Sequence, residues 1–318
     1  MNNLKKIGLT ALAASLVSTS VFAGELAVSG SASIKTAHVT TATGANTGKA
    51  FSMGNSVTFS GGGELDNGMS VSVSFELDQG TADGTTSPFD SHSVTISSDA
   101  MGSLTFAGHG GDSAQSQVKD MTGKIWDYQG TSQGALSSST SNNMMLYTLP
   151  TLVDGVSVKA SYVPKGAASD EFDSAVDWAV AYTGVEGLTV GYAQGEDHST
   201  AATLADVETM YAKYAYGSFT IGFQESEAEN DGATTSDDEF SAMGITYQVS
   251  DDLTIGYHAS ERQFGDKTGD QESANLSAAY TSGGMTISAA MVSMDNVGGS
   301  TAARDDVDGY AIDIGFAF

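Results

Sequence analysis

Few residue groupings in this chain could perform covalent chemistry. Segment 130–134 reads Gly-Thr-Ser-Gln-Gly, which matches the motif of a nucleophilic serine held between a strand and a helix. Neither a strand pattern nor a helix pattern flanks it, and Gly/Ser-rich loops produce such matches by chance. The five histidines are scattered without zinc-ligand spacing, and the chain contains no cysteine. We therefore predict that the protein is not an enzyme and has no catalytic metal or cofactor.

The elements that position the remaining charged residues are strands. Between residues 69 and 78, Met, Val, Val, Phe and Leu alternate with Ser, Ser, Ser, Glu and Asp, and this period of two recurs up to residues 310–318. Such alternation places one face of a strand in an apolar medium and the other in water. The stretches run for about 9 to 12 residues, longer than typical globular strands and suited to a tilted bilayer crossing.

Short turns and longer polar loops alternate between these strands. Seven turns lie near residues 67, 100, 154, 185, 217, 251 and 283. The eight loops cover residues 38–50, 79–90, 109–142, 163–172, 195–206, 225–237, 262–272 and 294–306. This arrangement predicts an all-β fold, a 16-stranded antiparallel transmembrane β-barrel. Loop 109–142 is about 20 residues too long for a simple link, and such connections are usually functional.

The N-terminus has the layout of a secretory signal peptide. Two lysines precede an apolar and small-residue stretch at 7–22, and a small-residue cleavage site ends at Ala23. We predict a signal peptide at 1–23 and an outer-membrane barrel at 24–318. The formal net charge is −27, or −29 without the leader, which contains two lysines and no acidic residue. So acidic a chain should repel nucleic acid.

The mature chain resembles Gram-negative trimeric porins, most closely those of alphaproteobacteria. Residues 24–32 are similar to their first strand, residues 143–150 are similar to the strand after their third loop, and Phe318 resembles the C-terminal signal for outer-membrane assembly. The Pro-Glu-Phe-Gly-Gly element of enteric porins is absent from 109–142. The arginine cluster of porin pore walls is absent too, because the only two arginines, Arg262 and Arg304, fall in predicted loops.

This resemblance implies a homotrimer in the bacterial outer membrane, in contact with outer-membrane lipid and lipopolysaccharide. It also implies that loop 109–142, the third loop, folds inward and narrows a water-filled channel for small hydrophilic solutes. Gly30 and Ala32 face outward on the first strand, and are either a packing contact with another subunit or ordinary strand residues.

Strand register assigns three lysines to the lumen. If the large apolar side chains face lipid, then Lys35, Lys159 and Lys213 point inward, and a one-residue slip would cost roughly 2–4 kcal/mol for each lysine at the midplane. Opposite them we place acidic residues of the third loop and third strand: Asp112, Asp120, Asp127, Glu76 and Asp78. Opposed charges across a narrow pore would orient water and polar solutes. The alternative is that these lysines only balance nearby lumen acids.

Two acidic segments could hold cations. One group has roughly the carboxylate spacing of a calcium loop, although its flanks follow a strand pattern and argue against an EF-hand: Glu227, Glu229, Asp231, Gly232, Asp237 and Asp238. They are either a solvated acidic loop or a loose Ca²⁺ or Mg²⁺ site that bridges lipopolysaccharide phosphates. Residues 305–308 allow the same interpretation.

The predicted function is passive diffusion of small hydrophilic solutes and ions with a preference for cations. One alternative is a substrate-specific nutrient channel, which needs aromatic residues along the lumen, where Tyr211 is the one clear strand candidate. The other is a structural or adhesin barrel.

Overall fold

The computed structural model describes residues 26–40, 50–78, 89–123, 125–126, 135–138, 142–164, 174–200, 203–230, 237–301 and 306–318. The predicted signal peptide lies outside these residues. The first eight strands are β1 (Ala27–Val39), β2 (Phe51–Glu64), β3 (Ser70–Asp78), β4 (Phe89–Ser98), β5 (Gly102–His109), β6 (Met144–Thr148), β7 (Val156–Val163) and β8 (Ala175–Val185). The second eight are β9 (Leu188–Thr200), β10 (Thr203–Tyr216), β11 (Phe219–Asn230), β12 (Asp238–Gln248), β13 (Leu253–Gln263), β14 (Gln271–Ser282), β15 (Met285–Asp295) and β16 (Val307–Ala317).

These strands close into one barrel. Each strand pairs with the next in antiparallel fashion, and β1 pairs with β16 from Ser31 opposite Ala317 to Val39 opposite Gly309. Closure removes the free sheet edges that would otherwise leave backbone groups unpaired in lipid. The predicted 16-stranded antiparallel barrel is therefore confirmed. Two short 3₁₀ helices, Ser116–Val118 and Val297–Gly299, lie in loops, and no helix in the described residues is long and apolar enough to span a membrane.

Glycines in the left-handed region accompany most of the short turns. Gly102, at the start of β5, has a φ of 76°, and a Cβ there would collide with the carbonyl oxygen of Thr148. Only glycine fits both the dihedral angle and the space. Five further turn glycines share this conformation: Gly68, Gly155, Gly187, Gly217 and Gly283.

The outer face of the barrel is apolar and exposed, as a lipid-facing surface should be. Met291 on β15 is 63% exposed, and its register partners Leu276 and Tyr310 are also exposed. On the inner face of β15, Ala290 and Val292 are buried. The alternation in the sequence therefore separates lipid from the barrel interior.

Gly30 contacts the C-terminal residue of the same chain at the seam between β1 and β16. Its backbone N–H donates to the carbonyl of Phe318 at 2.8 Å, and the N–H of Phe318 donates to the Gly30 carbonyl at 3.0 Å. A Cβ on Gly30 would lie 2.6 Å from the Phe318 ring. Glycine at this position therefore accommodates the terminal ring of the same chain, a contact that the subunit-packing interpretation did not include.

The prediction of loops at 195–206 and 225–237 is wrong over much of their length, because strands occupy these residues. β9 continues to Thr200 and β11 continues to Asn230. The error has a physical cause, because the polarity of the two faces reverses near this end of the barrel. Outward positions become acidic, while inward Val207, Ala228 and Phe240 are buried against Leu136 of the third loop. The strands therefore continue where their outward apolar pattern ends.

The acidic outward positions form two rows across neighbouring strands, which we call the acidic rows. In the first row Glu208 lies opposite Glu227, which lies opposite Glu239. In the second row Glu261 lies opposite Glu272, which lies opposite Asp295, and Glu225 continues this row beyond Ser241. Carboxylates directly opposite one another repel.

Candidate pore and constriction

Lys35, Lys159 and Lys213 point into the barrel. Each shares the inner face of its strand with a buried side chain: Val39 on β1, Ser161 on β7 and Thr209 on β10. The outer faces of the same strands carry exposed apolar or aromatic side chains: Ile34, Tyr162 and Tyr214.

The third loop folds inward from the end of β5, as predicted. Ala114 and Gln115 are fully buried inside the barrel. The backbone N–H of Ala114 donates to Ser161 Oγ on β7 at 2.9 Å, and the side-chain amide of Gln115 donates to Thr209 Oγ1 on β10 at 2.9 Å. The loop is therefore bonded to the wall.

The returning limb of the loop binds the same part of the wall. The N–H of Ser138 donates to Gln115 Oε1 at 2.7 Å, and its hydroxyl donates to Asp177 Oδ2 on β8 at 2.6 Å. Asp177 is buried and also accepts from the N–H of Glu196 at 3.2 Å. The buried carboxylate therefore has several donors and joins both limbs of the loop to β8 and β9.

Two of the three strand lysines lie beside the third loop. The ammonium of Lys159 donates to Oε1 of Gln117 in the loop. A Cβ on Gly123 would lie 3.8 Å from Cδ of Lys213. Lys35 is on a different part of the wall, where its register partner on β16 is Asp313. The structure thus places positive charge along the loop as well as on β1.

The proposed acidic residues divide between the loop and the wall. Asp112 is exposed in the loop, and Asp120 accepts from the hydroxyl of Thr122 at 3.2 Å. Glu76 and Asp78 lie on the inner face of β3, opposite Thr58 and Ser56 of β2. Asp127 lies outside the described residues.

The inner face of β2, β3 and β4 forms what we call the open wall. Among its described residues no side chain is buried, whereas buried inward side chains occur on β1 and on β5 to β16. Apart from Glu64, Glu76 and Asp78, the open wall consists mainly of hydroxyl side chains: Ser52, Ser56, Thr58, Ser72, Ser74, Ser91, Ser93, Thr95 and Ser97. The third loop therefore covers much of the opposite wall and leaves this one exposed to the lumen.

The sequence interpretation missed several lumen residues. Lys119 is an exposed cation on the third loop, and Gln117 binds Lys159. Arg262, assigned to a loop, lies instead on β13, where Nη2 donates to Asp238 Oδ2 at 2.6 Å. The alternating pattern of residues 253–263 could have placed Arg262 in that strand.

The inward aromatic residues of the described strands are buried. Tyr211 on β10 and Phe240 on β12 are 7% and 3% exposed. A channel that guides sugars along aromatic faces needs those faces in the lumen. The described strands do not present them.

A sequence-family comparison agrees with this architecture. The model of the Gram-negative porin family matches residues 8–300, which is most of the chain. The chain belongs to the Gram-negative porin family. The protein is therefore an outer-membrane channel of the porin fold. No curated protein matches it in sequence.

Solved structures with the same fold share little sequence with this porin. The anion-selective porin from Comamonas acidovorans matches with a TM-score of 0.72 and 15% identity, over 93% of this chain and 100% of that one. The trimer form of OmpT from Vibrio cholerae matches with a TM-score of 0.65 and 16% identity, over 93% and 99%. A mutant of the Rh. blastica porin matches with a TM-score of 0.67 and 15% identity, over 92% and 100%.

Proposed function

We propose that this porin is a homotrimer whose water-filled pores allow passive diffusion of small hydrophilic solutes and ions, with a preference for cations. The open wall supports the proposal best. Its hydroxyl groups can hydrogen-bond a hydrated solute as it passes, and the buried aromatic residues of the opposite wall offer no stacking track for one particular sugar. The trimer rests on the similarity to OmpT of Vibrio cholerae, which has been solved in a trimer form.

The cation preference rests on charge. Acidic residues outnumber basic ones by 39 to 12 in the chain, and Glu76 and Asp78 stand on the wall that the loop leaves exposed. A negative potential at the mouth and along the wall enriches cations, although salt screens it beyond about 8 Å at physiological ionic strength. Anion selectivity is a property of the Comamonas porin, whose sequence identity to this chain is 15%.

Planar-bilayer recording tests the channel. We expect the purified oligomer to migrate differently on gels before and after boiling, which is called heat-modifiable mobility, and to give ohmic steps of current. In a KCl gradient, we expect a reversal potential of cation-selective sign. An anion-selective sign would overturn the cation preference while leaving the channel intact. Steps that a particular sugar blocks would favour the substrate-specific channel, and the lack of any steps would favour a structural barrel.

We propose further that divalent cations join the acidic rows to phosphates of surrounding lipopolysaccharide. None of the four basic residues in the described strands points outward, so the rows have no cationic neighbour on the outer strand faces. No group of three or more His, Asp or Glu in the described residues could hold a metal ion by itself. Phosphate oxygens would therefore complete the coordination of Ca²⁺ or Mg²⁺, which prefer oxygen ligands.

Removal of divalent cations tests this role of the acidic rows. We expect a chelator to reduce the lipopolysaccharide retained by the purified porin, and Ca²⁺ or Mg²⁺ to restore it. The triple variant Glu225→Gln, Glu261→Gln, Glu272→Gln should bind less even with Mg²⁺ present. Asp251→Asn with Asp252→Asn, in the turn at the opposite end of the barrel, is the control. Equal retention by all three proteins would contradict the bridging role.

A further inference from the structure

Three glycines on the inner wall lie directly beneath the third loop. Gly222 on β11 and Gly244 on β12 are register partners, and a Cβ on either would lie 2.5 or 2.7 Å from the carbonyl oxygen of Thr122. On β13, a Cβ on Gly256 would lie 3.0 Å from Cδ1 of Ile125. The loop thus occupies the space that a side chain at any of these three positions would need.

Gln224 fixes the loop next to these glycines. It lies two residues from Gly222 on the same face of β11 and is 2% exposed. Its Oε1 accepts from the N–H of Met121 at 2.7 Å, while its Nε2 donates to the carbonyl of Lys119 at 2.5 Å. One side-chain amide therefore satisfies two backbone groups of a loop that has no strand partner there.

His258 holds the same loop segment from β13. It is the register partner of Gly244, is buried, and its Nε2 contacts the hydroxyl of Thr122. Nε2 also lies 4.0 Å from Oδ1 of Asp120. The glycines thus leave room for the loop close to the wall, and Gln224 and His258 form the polar contacts with it.

We infer that these five residues, the loop seat, set the cross-section of the pore. The inference rests on the proposed channel function. The edge of loop segment 119–123 stands as far into the lumen as the seat allows, and the open wall lies beyond it. A methyl group on Gly222 or Gly244 cannot be accommodated against a backbone carbonyl without a shift of the loop. The available direction is into the lumen, so the pore narrows.

Alanine substitution of the glycines gives a graded test. Gly222→Ala and Gly244→Ala should show the largest partial loss of single-channel conductance. Gly256→Ala should lose less, because its Cβ would lie no closer than 3.0 Å to any atom, and the nearest one is the end of a flexible isoleucine. Gly315→Ala is the control: Gly315 lies on the inner face of β16, and its nearest neighbour to a Cβ would be Asp313 Oδ2 at 3.6 Å. Heat-modifiable mobility confirms that each barrel is folded.

Gln224→Ala tests the seat in a second way. Loss of the amide leaves two backbone groups of the loop without their partner, so we expect frequent brief closures and a noisier open state. If wild-type protein conducts and all three seat alanines, together with Gln224→Ala, behave like Gly315→Ala, the seat does not set the cross-section. If wild-type protein does not conduct, the proposed channel function itself fails.

Discussion

Met291→Arg is expected to destabilise the barrel in lipid by about 2–4 kcal/mol, because it places a charge on the lipid-facing side of the central part of β15. Met291 lies on the outer face of β15, within a register row of apolar and aromatic neighbours, and is 63% exposed. Urea-induced unfolding in lipid vesicles, followed by the shift in gel mobility of unheated samples, measures the change.

Ser288→Arg is the matched control for this prediction. Ser288 lies on the same strand but on the inner face, where it is partly exposed. An arginine there remains in water, so the unfolding free energy should change little and the conductance should fall. Equal destabilisation by both variants would mean that the inner and outer faces have been assigned incorrectly.

Replacement of Glu76 and Asp78 by glutamine and asparagine is expected to lower the cation-to-anion permeability ratio. A unit charge about 8 Å from an ion in a water-like medium contributes about 0.5 kcal/mol, favourable for a cation and unfavourable for an anion. The ratio should therefore fall by about two- to fivefold for each charge, less in high salt. Reversal potentials in a KCl gradient measure it.

Neutralisation of the lysines tests the positive charges on the opposite side of the lumen. Lys159→Gln or Lys213→Gln should increase cation selectivity, and Asp120→Asn should reduce it. Glu261→Gln removes a negative charge from the outer face and should leave the ratio unchanged. A shift with Glu261→Gln as large as that with Glu76→Gln would mean that net charge, and not the pore lining, determines selectivity.

The sequence was sufficient for the parts of the fold that contact lipid. Around Tyr310 and Ile312, apolar side chains must alternate with smaller or polar ones, because one strand face lies in hydrocarbon. The pattern failed where strands leave the hydrocarbon. In β10, Asp206 and Glu208 face outward while Val207 and Thr209 pack beneath the loop, so the alternation continues with its polarity reversed.

The loop seat had a signal in the sequence that alternation alone does not reveal. Gly222, Gly244 and Gly256 each stand between two large outward-facing residues, in Ile-Gly-Phe, Met-Gly-Ile and Ile-Gly-Tyr. A glycine repeated on the inner face of three successive strands indicates that another segment of the chain, or a ligand, approaches the wall closely there. Which segment approaches, and how Gln224 binds it, depends on long-range contacts that no local pattern contains.

The seam between β1 and β16 also governs how the barrel can form. It joins Ser31 to Ala317 and Gly30 to Phe318, residues at nearly opposite ends of the chain. Contacts between such distant residues have the largest loop-closure cost and form slowly. Closure therefore cannot precede synthesis of the last strand, and a chain that lacks it would expose the unpaired edges of β1 and β15. Such edges promote aggregation, so the chain is most prone to aggregate in the interval before β16 pairs with β1.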